Sequence, residues 1–187
     1  IHKIFEQYQI AMPTVYPMLR TYLVEKNGQA IQVPAEEHYT EANHLIRRGF
    51  FITWTDILPP GNTIVKGTWI PRSSSAQRLF SLEADFARKL DLHIGDTLTF
   101  KTGESHFSGT VASIRSLNWT SMKVNFFVIS TPGELNTLPH TMILSFHLPD
   151  SKKSLLHTLV DTYPNIIIYP LDDLIRQLQG LIDKATL

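Results

Sequence analysis

The sequence predicts an α+β protein in which a mixed α/β part surrounds a small β-rich insert. Short runs of alternating apolar residues recur in the first two thirds of the chain, a pattern typical of half-buried strands. Two stretches with apolar residues at helical spacing lie in the last third, at 151–163 and 171–185. The chain has 187 residues, of which 43% are hydrophobic, enough for one domain or for two small ones with a real core.

The first third predicts one helix followed by strands. Residues 1–10 carry apolar side chains on one helical side, and Pro13 stops the helix. Residues 15–26 are β-like, and Asn27-Gly28 is a strong signal for a two-residue hairpin turn. We predict further strands at 50–55 and 63–69, separated by the Pro/Gly-rich loop at 56–62.

The stretch 81–130 is the most informative part of the chain. Ser81 is predicted to cap a short helix, and Gly95-Asp96 gives a turn signal that ends this segment. A hairpin around Gly103 leads into an alternating strand at 107–115. The predicted order is therefore helix, tight turn, hairpin and a second β segment that runs through 125–129.

The last third predicts a strand, a helix and a strand, at 141–148, 151–163 and 166–169, as in a βαβ or split βαβ unit. A final helix begins at Asp172 or Asp173, and its apolar stripe is close to a heptad repeat. The stripe shows no stop signal at Leu187, which favours a helix that continues further. Its periodicity alone favours an ordinary C-terminal packing helix.

Composition excludes several classes of protein. Lys+Arg and Asp+Glu are 17 each, so the net charge gives no argument for nucleic acid or an anionic membrane surface. Without cysteine, disulfides, thiolate catalysis and Cys-based zinc sites are excluded. No stretch approaches the roughly 20 apolar residues that span a bilayer.

Catalytic motifs are absent from the sequence. The eight histidines include no H-x-x-x-H pair, no G-x-S-x-G elbow surrounds a serine, and no P-loop occurs. We therefore assign no catalytic, cofactor-binding or metal-binding residue, and we expect the protein not to be an enzyme. A triad built from residues distant in sequence stays open, because geometry rather than order defines it.

The run at 115–127 is rich in aromatic side chains and has two interpretations. In the favoured one, Trp119, Phe126 and Phe127 fill the core where the β-rich insert rejoins the rest of the chain. In the other, Trp119, Met122, Phe126 and Phe127 form a surface for an apolar ligand or a partner.

The same residues carry a resemblance to a known family. The runs SLEADFARKLDLHIGDTLTF, TVASIRSLNWTSMKVNFFV, PGEL and LPHTMILSFHLP resemble the extracytoplasmic domain of FtsX-like permeases, in the MacB-like class of ABC transporters. The pattern R-x-x-N-W-x-S-M-x-x-N-F-F, which begins at Arg115, is the most specific part and resembles the YbbP-type branch of long permeases. The resemblance covers about residues 12–187.

This resemblance implies a fold and a function. It implies a porter-like subdomain at 1–62 and 118–187, which ends in a stalk helix at 173–187, and a Sabre-like β-rich insert at 63–117. It further implies the periplasmic domain of a bacterial inner-membrane permease that has no catalytic chemistry. Such a domain couples ATP hydrolysis by a cytoplasmic ATP-binding subunit to movement of a substrate in the periplasm. The expected substrate is hydrophobic or lipid-like, and a periplasmic partner protein is also expected. The alternative is a free-standing periplasmic hydrolase or ligand-binding protein.

Overall fold

The computed structural model describes residues 1–33, 35, 40–69, 77–121 and 123–171. In this part of the chain, strands and helices are mixed, which confirms a fold with both α and β elements. The helices are α1 (His2–Gln7), α2 (Glu41–Arg48), α3 (Ala84–Lys89) and α4 (Ser154–Thr162). The strands are β1 (Tyr16–Lys26), β2 (Gln29–Ala30), β3 (Phe50–Trp54), β4 (Asn62–Gly67), β5 (Leu79–Glu83), β6 (Thr97–Thr102), β7 (Ser105–Leu117), β8 (Val128–Ser130) and β9 (Thr141–Ile143).

The chain divides into two compact units, one formed by residues 15–144 and the other by 1–14 and 145–187. In the first unit, strand pairing closes on itself in the order β1, β3, β8, β5, β7, β6 and back to β1. The pairs β3·β8 and β5·β7 are parallel, and the other four are antiparallel. This ring of six strands is a small β-barrel, and closure leaves these strands with few free edges.

Apolar residues at alternate strand positions fill the inside of this barrel, as the two-residue period of a strand requires. Phe50, Phe80 and Phe100 lie at its centre, where Phe80 and Phe100 have ring centroids 5.0 Å apart. The helix α3 closes one side, because Phe86 is buried and packs edge-on against Phe50 at 4.9 Å. The remaining buried members of this core include Leu19, Leu23, Ile52, Leu82, Leu98, Phe107, Val111 and Val128.

Two turns that the sequence predicts meet outside the barrel. Asn27 and Gly28 both have positive φ, of 52° and 77°, as expected for a two-residue hairpin turn. The Asn27 side chain donates to the Asp96 carboxylate at 2.8 Å and accepts from the backbone N–H of Thr97 at 2.8 Å. The β1–β2 hairpin and the entry to β6 are therefore held together by side chains of the two turns.

In the second unit, α1 and α4 pack against each other. Phe5 is buried, and its ring meets that of Phe146 edge-on at 4.9 Å. The Tyr8 hydroxyl and the Thr158 hydroxyl lie 2.7 Å apart in a hydrogen bond. The predicted helices at 1–10 and 151–163 are thus confirmed as shorter segments.

Three local predictions are wrong. Ser81 does not cap α3; it lies buried in β5, where its hydroxyl accepts a hydrogen bond from Ser113, and Glu83 is the cap instead. The predicted well-covered strand at 141–148 is only the three residues of β9, with Met142 57% exposed. Residues 166–169 form no strand, so the described part of the last third lacks the predicted strand–helix–strand order.

The predicted subdomain boundaries at 62/63 and 117/118 stay a prediction. Strands from 1–62, 63–117 and 118–144 all take part in the barrel. The predicted stalk helix at 173–187 lies outside the described residues.

Candidate functional site

A buried arginine anchors the segment in which the predicted site residues lie. Arg115, on β7, is fully buried; it donates to the side-chain oxygen of Asn62 at 2.9 Å and to the backbone carbonyl of Phe126. Burial lowers its pKa to about 9, opposed by attraction to the carboxylate of Glu83, so the guanidinium stays charged at neutral pH. A buried charge with partners of this kind fixes the backbone at Phe126.

Glu83 supplies the negative charge beside this arginine. Its carboxylate accepts from the backbone N–H groups of Asp85 at 3.0 Å and Phe86 at 2.7 Å, and thereby caps α3. Its own N–H donates to the carbonyl of Phe127 at 2.8 Å. Glu83, at the end of β5, thus attracts the buried arginine, caps α3 and bonds to the backbone of Phe127.

Asn118 and Asn125, in the run 115–127, make two further contacts with the start of β4. The side chain of Asn62 donates to that of Asn125 at 3.3 Å, and the N–H of Asn118 donates to the carbonyl of Gly61 at 3.3 Å. Both ends of the segment 118–127 are therefore attached to the start of β4.

The structure separates the predicted site residues by exposure. Phe126 is buried, and its ring lies edge-on to Tyr16 at 6.0 Å. Phe127 is half-buried and stacks on Phe86 at 5.3 Å, whereas Trp119 is 52% exposed, with its ring 5.5 Å from that of Phe127. Met122 lies outside the described residues. The run therefore serves the core at Phe126 and presents an aromatic surface at Trp119.

Trp119, Phe126 and Phe127 line one groove with a volume of about 380 Å³. Its other walls come from α2, from β3 and from strands β1 and β9. The apolar side chains that line it include Met18, Leu45, Phe51, Val124 and Ile143. A concave, mostly apolar surface with a few polar groups is the usual form of a small-molecule site.

The helix α2 is the part of this site that the sequence analysis missed. Thr40 caps it by accepting from the N–H of Asn43 at 3.1 Å, and Gly49 ends it with φ of 66°. Leu45, His44 and Arg48 of this helix face the groove. The signals were present as a cap residue, two basic residues and a glycine, but the stretch 34–48 is polar, and the family that the sequence resembles often has either a loop or a short helix there.

A smaller cavity of about 140 Å³ adjoins the groove and shares His44, Leu45 and Phe127 with it. Its polar side is occupied by ion pairs, in which the Lys89 ammonium lies 2.5 Å from Glu41 and 2.6 Å from Asp85. Hydrogen bonds from Lys89 and then from Arg88 lower the pKa of the exposed Asp85 carboxyl. The acidic groups at this end are therefore neutralised by partners of the protein itself.

Within the described residues, no group of three or more His, Asp or Glu side chains is placed to hold a metal ion. None of the described helices combines the length and the hydropathy that are needed to span a bilayer.

Comparison with known proteins finds similarity to a sequence relative and to a solved structure. The chain is 29% identical over 171 residues to the uncharacterized ABC transporter permease YbbP of Escherichia coli K12, a match that covers 91% of this chain and 20% of the relative. The predicted resemblance to ABC transporter permeases of the YbbP type is thereby confirmed. This chain spans about one fifth of the length of that permease. A domain of a candidate permease from Porphyromonas gingivalis aligns with 85% of this chain and 66% of its own, at 10% identity and a TM-score of 0.40. No family model matches the chain.

Proposed function

From the similarity to an ABC transporter permease, we propose that this chain is the periplasmic domain of such a permease subunit. In this role it carries out no reaction of its own. It couples ATP hydrolysis by a cytoplasmic ATP-binding subunit to movement of a hydrophobic or lipid-like substrate, or of a periplasmic partner protein, outside the inner membrane.

The observation that carries this proposal is the 171-residue similarity, which extends over nearly the whole chain. A local motif would support only a shared element, whereas similarity of this extent supports a shared domain. It favours the permease role over a free-standing periplasmic hydrolase or ligand-binding protein.

A domain with this role needs a body that moves as a whole. The barrel of residues 15–144 supplies one, because its core is filled with aromatic rings and its strands are paired around the ring. The proposal assigns the porter-like parts to 1–62 and 118–187 and the Sabre-like insert to 63–117. The proposal further assigns to the predicted helix at 173–187 the transmission of movement to and from the membrane.

Location and movement can both be tested on a full-length permease in which any cysteine outside these 187 residues is replaced, because the 187 residues themselves contain none. A single cysteine at Lys66, an exposed position on β4, provides the label. In intact cells, a membrane-impermeant maleimide should label Lys66→Cys and should not label the same permease without this substitution. Labelling that requires disruption of the inner membrane would contradict the periplasmic location.

The coupling is tested in proteoliposomes that contain the permease and its ATP-binding subunit. The distance from a spin label at Lys66→Cys to a labelled lipid head group should change when ATP replaces ADP. A distance that stays constant while ATP is hydrolysed would overturn the coupling role. Esterase activity of the purified chain that one Ser→Ala substitution abolishes would favour the hydrolase alternative instead.

A further inference from the structure

We propose that the groove beside Trp119 binds a single-chain anionic amphiphile of the fatty-acid type. This inference rests on the proposed function, since it names the class of hydrophobic substrate that the domain would receive. It is carried by the size of the groove, by its apolar walls and by the sign of the charges at its rim.

The size favours one alkyl chain. A volume of about 380 Å³ lies near the lower end of the ~300–1,000 Å³ typical of small-ligand sites, which suits one chain better than two. Trp119 and Phe127 form an aromatic wall, with ring centroids 5.5 Å apart, and Leu45 and Val124 add aliphatic surface. Burying methylene groups against such walls contributes about 0.8 kcal/mol for each group.

The charge at the rim is positive. Arg48 lines the groove and is exposed, and Arg20 lies beside it, since its guanidinium donates to the Arg48 carbonyl and lies 5.8 Å above the ring of Phe51. Among the described residues that line the groove, none is Asp or Glu. A planar guanidinium at an apolar groove binds a carboxylate head group in preference to a cationic one.

The neighbouring cavity gives the amphiphile one orientation. Its acidic residues Glu41 and Asp85 are both paired with Lys89, so that end presents neutralised groups. The head group therefore lies at the Arg48 end, and the alkyl chain lies along Trp119 and Phe127.

The test uses three amphiphiles with the same twelve-carbon chain and different head groups: dodecanoate, dodecyltrimethylammonium and dodecyl maltoside. Each is titrated below its micelle concentration into the purified chain, and affinity is measured by calorimetry. We expect dodecanoate to bind about tenfold more tightly than dodecyltrimethylammonium, with the neutral maltoside between them. Equal affinity for all three would overturn the assignment of an anionic ligand.

Two matched pairs of variants locate the site. Arg48→Glu should weaken dodecanoate binding about tenfold, whereas Lys66→Glu, the same change of charge on β4, should leave it within about twofold. Trp119→Ala should weaken binding of all three amphiphiles, whereas Val65→Ala should not, although both side chains are 52% exposed. Circular dichroism and urea midpoints of each variant separate loss of binding from loss of fold. Unchanged affinity in folded Arg48→Glu or Trp119→Ala would refute the site.

Two further measurements separate this inference from other outcomes. Self-association of the chain that Trp119→Ala abolishes would assign the groove to a second copy and overturn the amphiphile. In the full-length transporter, dodecanoate should alter ATP hydrolysis. If the chain binds dodecanoate at this groove but ATP hydrolysis does not respond, the binding site stands and the proposed coupling to transport fails.

Discussion

Among the described residues, β7 carries a buried arginine whose removal should be costly. Arg115 is fully buried, and it pairs with the Asn62 side chain and the Phe126 carbonyl while its charge faces Glu83. The variant Arg115→Met keeps most of the side-chain volume but removes the charge and every donor. It therefore isolates the polar contribution from the cost of a cavity.

The expected cost follows from what remains behind. Removing a buried hydrogen-bonded charge leaves its acceptors unsatisfied, which typically costs ~1–3 kcal/mol, and the buried Glu83 carboxylate loses the attraction of the guanidinium. The Phe126 carbonyl also loses a donor, but such penalties overlap within one network and do not simply add. Burial also disfavours the charged guanidinium itself, as its lowered pKa shows, so part of this cost is offset. We therefore expect Arg115→Met to lower the free energy of unfolding by about 1–3 kcal/mol.

Urea unfolding at pH 7, followed by circular dichroism and tryptophan fluorescence, measures this change. The control is Arg88→Met on α3, an exposed arginine paired with Asp85, which should change stability by less than about 0.5 kcal/mol. If the network is the cause, Glu83→Gln in the Arg115→Met background should cost less than the same change in the unaltered chain. A loss below about 1 kcal/mol for Arg115→Met, or strict additivity with Glu83→Gln, would refute the reasoning.

Two further predictions concern the turns. Burial alone would raise the pKa of the Asp96 carboxyl, but hydrogen bonds from the Asn27 side chain and the His93 N–H lower it. The stability that the ionised carboxylate contributes is therefore complete above the unfolded pKa of 3.8. It is lost as the pH falls through the lowered pKa of the folded state. Asp96→Asn should reduce the free energy of unfolding by ~1–2 kcal/mol at pH 7 and flatten its pH dependence below 3.8, as measured by urea titrations at several pH values. Gly67→Ala should cost ~2–4 kcal/mol in the same assay, because φ is +75° and a Cβ would lie 2.2 Å from a carbonyl oxygen of β7. Gly61→Ala, at φ of +81° with open space around its Cβ, should cost about 1 kcal/mol; equal costs at the two glycines would contradict the steric argument.

Local chemistry accounts for the elements that the sequence predicted correctly. The Asn27-Gly28 turn and the alternation in 107–115 depend on backbone preference and on a two-residue period, both of which are visible in a short window. Ser81 was misjudged because two cap candidates lie close together there. The carboxylate of Glu83 reaches two backbone N–H groups, and Ser81 is left to pair with Ser113 inside the sheet.

The closure of the barrel depends on contacts that no short window contains. β1 and β6 pair around Leu23 and Phe100, which are 77 positions apart in the sequence. The prediction of a well-covered strand at 141–148 was wrong for a related reason. Hydrophobic composition indicates that a residue prefers burial, but it does not identify an element that covers it, and Met142 stays exposed.

The residues of one wall of the groove could be predicted from the sequence, and those of the other wall could not. Trp119, Phe126 and Phe127 are conspicuous as three aromatic residues within nine positions, so their chemistry could be assigned from the sequence. That they share a groove with Leu45 and Arg48 depends on where α2 packs, which the polar sequence at 34–48 did not indicate.

The run at 115–127 combines two tasks that are usually separate in a protein. Its first residue, Arg115, is fully buried and holds the Phe126 backbone, while Trp119, four positions later, is half exposed at the groove. We expect a wall whose Phe126 backbone is held by a buried guanidinium to be ordered before any ligand arrives. Little conformational entropy then remains to be lost on binding, so the apolar contacts of a single alkyl chain translate more fully into affinity. A conservative change at the anchor, such as Arg115→Lys, should therefore weaken dodecanoate binding without touching the groove. Unchanged affinity in a folded Arg115→Lys variant would show that the wall keeps its shape without the network.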